Sequence, residues 1–267
     1  MIRMLFYNDK TERAAGIRDY LERIRKERPV VQCITNIVTV NDCANALLAI
    51  GASPTMAHHP QEMEDFAALC DALVCNLGAT ESQESMVRAA ALASAFDHPV
   101  VLDPVGCAGS RFRRQKATEI LESGRITCIR GNAAEIRALA EHCNTGRGVD
   151  DPAGSATEAG AGKYAAVLAR QTGAIVIASG KTDYISDGED ILAVEGGSPM
   201  LAKITGSGCM LSALLGAFLA VERSAKSAAV CCALMADCGE QAEKWTQEAG
   251  RGTGTFHLNL LDALSMF

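Results

Sequence analysis

The segment KITGSGCMLSA, residues 203–213, sets Gly206, Ser207, Gly208 and Cys209 in front of an apolar run that continues through Met210, Leu211, Leu214, Leu215, Phe218 and Leu219. The spacing of that run is helical. Two glycines flanking a small hydroxyl residue let the backbone turn tightly at a helix start. The first N–H groups of a helix have no partner within it, and together with the helix dipole they favour an anion. The Cys209 thiol stands at the same mouth, where a helix N-terminus is expected to lower its pKa below the value of about 8.5 of free cysteine. The stretch predicts a phosphate-binding turn that opens a buried helix, with a thiol beside it.

Working upstream, short strand-like runs at residues 72–75, 100–102, 127–129 and 175–178 alternate with helical patterns at 81–96, 111–123, 133–140 and 157–172. Such alternation predicts an α/β fold, a mostly parallel central sheet with helices on both faces. Residues 184–186 and 191–194, separated by Asp187-Gly188-Glu189-Asp190, read as a hairpin at the sheet edge. The last third is helical, over 208–221, 225–247 and 258–266. No linker, repeat or low-complexity stretch interrupts the chain, so residues 1–267 read as one domain.

Composition narrows the function. The 267 residues are 48% apolar, carry a formal net charge of −7 and contain no long basic run. Nucleic acid is thereby an unsuitable partner, because phosphate backbones require clustered Lys and Arg. The short cluster Arg111, Arg113, Arg114 and Lys116 reads as a solvated helix start. The N-terminal MIRMLFYNDK is too short and too soon charged for a signal peptide. No window approaches the roughly 18 uninterrupted apolar residues of a membrane span. A cytoplasmic protein without a membrane partner is expected. The 11 cysteines lie mostly in apolar segments and form no CxxC pair, so they read as reduced. The five histidines show no ligand spacing.

In a parallel sheet, ligands bind beyond the C-terminal ends of the strands. The polar residues there are Asn76, Asp103, Arg130 with Asn132, and Ser179. Asp103-Pro104 is either a simple turn or a carboxylate beside a divalent cation and phosphates. Asn132 and Glu135 have the spacing of a capping box, and Arg130 and Glu135 equally suit a phosphate and its cation. Asn36, Asn41 and Asn45 lie before and within a helix at 41–50, and Asn inside a helix is unfavourable. They are either capping and surface residues, or Asn36 rims a substrate pocket closed by Met56.

Seven blocks, ITNIVTVNDCANALLAIGASPTMA (34–57), LVCNLGA (73–79), VVLDPVG (100–106), IRGNAAEI (129–136), GVD (148–150), DYISDG (183–188) and KITGSGCMLSALLGAF (203–218), together resemble the hydroxyethylthiazole kinase family in the same order. The resemblance runs from about residue 20 to 222. It implies a ribokinase-like fold and ATP-dependent phosphorylation of the primary alcohol of 4-methyl-5-(2-hydroxyethyl)thiazole in thiamine biosynthesis and salvage. Also implied are Mg2+ and a homotrimer with active sites between subunits. Carried over by position, Asn36, Met56 and Gly206 match substrate-contacting residues, Arg130 and Ser179 ATP-contacting residues, and Asp103 and Glu135 the acids near Mg2+. Gly206, Gly208 and Cys209 match the catalytic turn, with Cys209 where most ribokinase-like enzymes carry an Asp. Ser179-Gly180-Lys181 replaces the family's usual Thr-Gly-Glu, keeping the hydroxyl and reversing a charge. Residues 1–10 read as a flexible extension.

Overall fold

Val100–Asp103 is a run of four buried residues, short and without alternation, as a strand covered on both faces must be. In the computed structural model, which describes residues 2–143 and 158–267, it is the fifth of nine strands. These are β1 (Met4–Phe6), β2 (Val30–Ile34), β3 (Ser53–Thr55), β4 (Ala72–Asn76), β5 (Val100–Asp103), β6 (Cys128–Asn132), β7 (Ile175–Ser179), β8 (Thr182–Ser186) and β9 (Ile191–Glu195). They form one sheet in the order β1-β9-β8-β7-β6-β5-β4-β2-β3. Every pairing is parallel except β7 with β8 and β8 with β9.

The helices are α1 (Lys10–Glu27), α2 (Val40–Ile50), α3 (Met63–Leu69), α4 (Gln83–Ala95), α5 (Arg111–Ser123), α6 (Ala133–His142), α7 (Glu158–Thr172), α8 (Ser207–Val221), α9 (Ala225–Glu248) and α10 (Thr253–Met266). The period-2 alternation of strand side chains divides the core into two layers. Val31, Val74, Val101 and Ile177 point into a cluster with Leu47 of α2, Leu215 and Phe218 of α8, Leu234 of α9 and Leu260 of α10. Leu73, Val100, Leu102 and Val176 point the other way, into a cluster with Ala89 of α4, Ile120 of α5, Ile136 of α6 and Leu168 of α7. Helices thus cover both faces, as the alternating pattern requires.

α8 is apolar nearly all round because it is sandwiched between the sheet and the α9 layer, packing on β2, β4 and β5. Its approach to the sheet depends on Gly216, where a Cβ would lie 2.7 Å from Val31 Cγ1 and 2.9 Å from Val74 Cγ2. The glycine turn that opens α8 is thereby pressed toward the strand ends.

Three expectations change. The hairpin β8–β9 is not the edge, because β1 adds parallel to β9, and the segment read as a flexible extension contains that strand. Arg3 holds Asp190 in a bidentate pair at 3.1 and 2.7 Å, and Asn8 Nδ2 donates to Glu195 Oε2 at 2.8 Å. Arg13, only 3% exposed, donates to Tyr7 O, Asn8 Oδ1 and Glu195 O, and so fastens the strand from below. The basic cluster does begin a helix, α5, but three of its members are not simply solvated: Lys116 Nζ donates to Glu84 and Glu119, and two of the arginines reach backbone carbonyls. Arg113 Nη1 donates to Val105 O and Arg114 Nη1 to Cys107 O, securing the loop that follows β5. Residues 148–150, one of the seven blocks, lie outside the described residues. All eleven cysteines are free. No helix among the described residues is long and apolar enough to cross a membrane.

Candidate active site

The strand ends and the start of α8 converge. Asn76 and Asp103 end β4 and β5 and face each other in register, as Asn132 and Ser179 do at the ends of β6 and β7. Above them α8 opens on Gly206, which has φ +84° and faces Thr39, whose Cγ2 would lie 2.6 Å from a Cβ there. Both the left-handed backbone and the close approach require glycine. No side chain caps α8, and its first helical bond is Met210 N to Gly206 O at 2.8 Å. Its leading N–H groups therefore remain the positive end of the helix.

Arg130 brings a fixed charge to that end. Its guanidinium packs on Gly208 so closely that a Cβ there would overlap Nη1. Nε donates to Ser179 Oγ at 3.0 Å, and Nη1 lies 3.9 Å from Asp103 Oδ2. Asp183, whose Oδ1 accepts the Gly180 N–H at 3.1 Å, fixes the turn after Ser179. Burial raises its carboxyl pKa and the charge of Arg130 opposes the rise. Lys181 is exposed in the same turn.

Asp103 is fully buried. Its Oδ2 accepts Asn76 Nδ2 at 2.9 Å and Ser212 Oγ at 2.8 Å, whereas Oδ1 has no partner. Burial pushes its pKa from 3.8 up to about 6, against the lowering effects of Arg130, Ser212 and Asn76. Cys209 Sγ accepts Asn76 Nδ2 at 3.3 Å and Asn36 Nδ2 at 3.5 Å. Its thiol pKa is raised, first by burial and then by the charge of Asp103. This corrects the lowered pKa expected from the helix end alone: desolvation and a nearby anion outweigh the dipole here.

Glu135 closes the expected capping box. Its Oε2 accepts the Asn132 N–H at 2.9 Å while Asn132 Oδ1 accepts the Glu135 N–H at 3.0 Å. Oε1 accepts the Gly106 N–H at 2.8 Å, tying the loop after β5 to α6. Glu135 therefore braces the loop that follows Asp103 as well as capping α6.

A cleft beside the thiol is lined by Cys33, Thr35, Ile37, Val40, Met56, His58, Glu81 and Ser82. Thr35 Oγ1 is buried there without a partner, and the next residue, Asn36, reaches Cys209. The turn between β2 and α2 thus links the cleft to the α8 mouth. Met56 lies in the cleft wall, and Gly206 touches α2 through Thr39. Of the residues read from sequence, Asn36, Asp103, Arg130, Ser179, Gly206, Gly208 and Cys209 form one contiguous constellation. Met56 stands across the cleft, and Glu135 acts through the Gly106 loop. The sequence reading does not include Ser212 and Thr39. Ser212 had a signal, a hydroxyl within an otherwise apolar helix three residues after the thiol. Thr39 had none, because its role rests on α2 meeting the glycine turn.

Comparison with known proteins identifies the family. The family model described as the Hydroxyethylthiazole kinase family matches residues 21–267. A hydroxyethylthiazole kinase of Listeria monocytogenes is 43% identical over 248 residues, covering 92% of this chain and 90% of the relative. One of Pyrococcus horikoshii is 41% identical over 250 residues, covering 93% and 92%. The solved structure of a hydroxyethylthiazole kinase protein from Pyrococcus horikoshii superposes with a TM-score of 0.84 at 38% identity, covering 95% of this chain and 94% of the other. A ribokinase-like superfamily protein from Enterococcus faecalis shares the fold at 13% identity and a TM-score of 0.58, covering 98% and 84%. The family model and these relatives span nearly the whole chain, and the chain belongs to the hydroxyethylthiazole kinase family.

Proposed function

We propose that this chain is a hydroxyethylthiazole kinase that transfers the γ-phosphoryl group of ATP to the primary alcohol of 4-methyl-5-(2-hydroxyethyl)thiazole, in thiamine biosynthesis and salvage. The observation that carries the reading is the uncapped N-terminus of α8 with Arg130 packed against Gly208. An uncapped helix start beside a guanidinium suits an anion, and the relatives that match most of the chain carry the kinase name.

In this reading the triphosphate lies over the ends of β6 and β7, held by Arg130 and the Ser179 hydroxyl. The N–H groups of residues 206–209 receive the γ-phosphoryl. The alcohol enters from the cleft between Met56 and Asn36, with Gly206 at its inner end. Its oxygen forms a bond to phosphorus as the bond to the ADP oxygen breaks, and the hydroxyl proton is released. Phosphoryl transfer needs positioning and charge stabilisation more than covalent help. Cys209, whose thiol pKa is raised by burial and by Asp103, stays protonated at neutral pH and contributes contact and orientation rather than a base.

Mg2+ keeps several waters and takes one or two carboxylates together with substrate phosphates. The residues fit such an ion. Asp103 Oδ1 is a buried oxygen without a partner, while Glu135 spends each oxygen on a backbone N–H and would act through water. No group of three or more His, Cys, Asp or Glu among the described residues suits a dedicated metal cage. When bound, the ion would neutralise charge on the phosphates. The substrates and the free thiols suit a cytoplasmic enzyme of one catalytic domain. A homotrimer with sites between subunits completes the reading. Ile37, on the cleft wall and 83% exposed, and Val38, 66% exposed, are apolar side chains that a second copy would cover.

The test is ADP release with Mg2+ in the presence of hydroxyethylthiazole, hydroxymethylpyrimidine or no alcohol, with product mass determined. Thiazole-dependent release and a thiazole phosphate product are expected. Pyrimidine turnover, or ATP hydrolysis indifferent to alcohol, would overturn the acceptor.

A further inference from the structure

Asn76 joins the two groups at the centre of the site, yet it has no counterpart among the residues assigned to substrate, nucleotide or metal. It ends β4, is 1% exposed, and each polar atom of its side chain is engaged. Oδ1 accepts the Gly78 N–H at 2.9 Å and Asn36 Nδ2 at 3.3 Å. Nδ2 donates to Asp103 Oδ2 at 2.9 Å and to Cys209 Sγ at 3.3 Å.

These contacts settle which way the amide faces. A backbone N–H can only donate, so the atom beside Gly78 must be the oxygen. The nitrogen is thereby directed at Asp103 and Cys209, and its two hydrogens match the two acceptors. The lock is local to the chain: Gly78 lies two residues on, and a Cβ there would sit 2.7 Å from Asn76 Oδ1 and 3.1 Å from Asn36 Cβ. Gly78 thus lets the backbone close over the amide.

The arrangement has two consequences. Asp103 Oδ2 is filled by Asn76 and Ser212, which leaves Oδ1 as the unpartnered oxygen. The sulfur of Cys209 already accepts two amide donors, so its own hydrogen, when present, points away from both. Asp103, from β5, and Cys209, from α8, are carried by different elements, and Asn76 is the one side chain described as bonded to both.

We propose that Asn76 is a positioning residue for phosphoryl transfer: its amide, locked by Gly78, holds the Asp103 carboxylate and the Cys209 thiol in a fixed relation and selects the Asp103 oxygen left open to the reacting groups. The inference rests on the kinase reading above.

Two variants separate this from a purely structural role. Asn76→Asp keeps the shape and the oxygen that receives the Gly78 N–H, but sets an acceptor against Asp103 and Cys209. Asn76→Ala removes both functions. Kinetics are measured with ATP and hydroxyethylthiazole, with folding followed by near-ultraviolet circular dichroism and melting. Positioning predicts that kcat falls about 10–100-fold in Asn76→Ala, a cost typical of groups that orient others. KM for ATP and for the alcohol stay within about threefold of wild type on the same grounds, and Asn76→Asp is slower still. If Asn76 only pins the turn, Asn76→Asp retains most of the wild-type kcat while Asn76→Ala is impaired and destabilised. That result, or a loss carried by KM, overturns the proposal. Should Asn76→Ala melt below the assay temperature, Asn76→Ser makes the same comparison. Wild-type protein that turns over a different alcohol refutes the thiazole reading alone, and the Asn76 comparison is then read with that alcohol.

Discussion

Gly208 shows how a single hydrogen in place of a methyl group admits the charge that defines the site. Arg130 occupies the space a Cβ would take, and the atom displaced would be the tip of a flexible side chain. Gly208→Ala is therefore expected to fold at least as well as wild type, since Ala is favoured over Gly within a helix by about 0.5–1 kcal/mol. Its kcat/KM for ATP should nevertheless fall about tenfold, the cost of roughly 1.4 kcal/mol in transition-state binding. Unchanged ATP kinetics would detach Arg130 from the nucleotide. Asp103 offers a second residue-level test. Burial raises its pKa from 3.8 to about 6, so between these values the folded chain holds a proton that the unfolded chain has released. Stability from this group is fully present below pH 3.8 and is lost as pH rises through about 6. Asp103→Asn does not titrate, so its stability relative to wild type should rise by about 1–3 kcal/mol between pH 4 and 7, measured in denaturant without nucleotide or Mg2+. Its kcat should fall at least about 100-fold. A stability difference that stays flat with pH would mean that the carboxyl ionises normally.

At the scale of elements, the legible parts were those whose signal is local. The buried strands β4, β5 and β7 carry continuous apolar runs, and their final polar residues point to Asn76, Asp103 and Ser179 before any fold is drawn. The capping box of Asn132 and Glu135 is equally local. What was not legible depends on pairing. β1 and β3 have three residues each, too few to show a period, and exist because β9 and β2 offer them a partner. The rise in the Cys209 pKa comes from burial and then from Asp103, both set by topology, which packs α8 against the end of β5. β1 also yields a prediction. Removing residues 2–8 strips Arg13 of Tyr7 O and Asn8 Oδ1, leaving a buried guanidinium with fewer acceptors, and exposes the β9 edge. A loss of about 2–4 kcal/mol is expected, in keeping with breaking a buried charged contact set. Four strands separate β1 from β5, so kcat should remain within about twofold, since distant sites act independently. An unchanged melting temperature would show that β1 adds nothing to the fold.

The whole molecule leaves one side of the cleft open. Met56, Thr35 and Val40 form a partly apolar wall, while Ile37 on the same cleft is 83% exposed and Val38 beside it 66% exposed. Small-molecule pockets ordinarily enclose most of the ligand surface with apolar side chains. A wall that ends in two exposed aliphatic residues needs a cover, and the proposed homotrimer supplies it from a second copy. Association then becomes part of substrate binding, so specific activity at subsaturating alcohol should fall when the protein is diluted below its association range. Sedimentation velocity at the same concentrations should show the smaller species appearing together with that fall. Ile37→Asp places a charge where the cover would sit; it should shift the population toward monomer and raise KM for the alcohol about tenfold or more, with KM for ATP little changed, because Arg130 and Ser179 belong to other strands, β6 and β7. A variant that is monomeric yet keeps the wild-type KM for the alcohol would show that one copy encloses its substrate alone. Coincident loss of assembly and of alcohol affinity, with nucleotide affinity intact, would tie the open wall of the cleft to the subunit boundary.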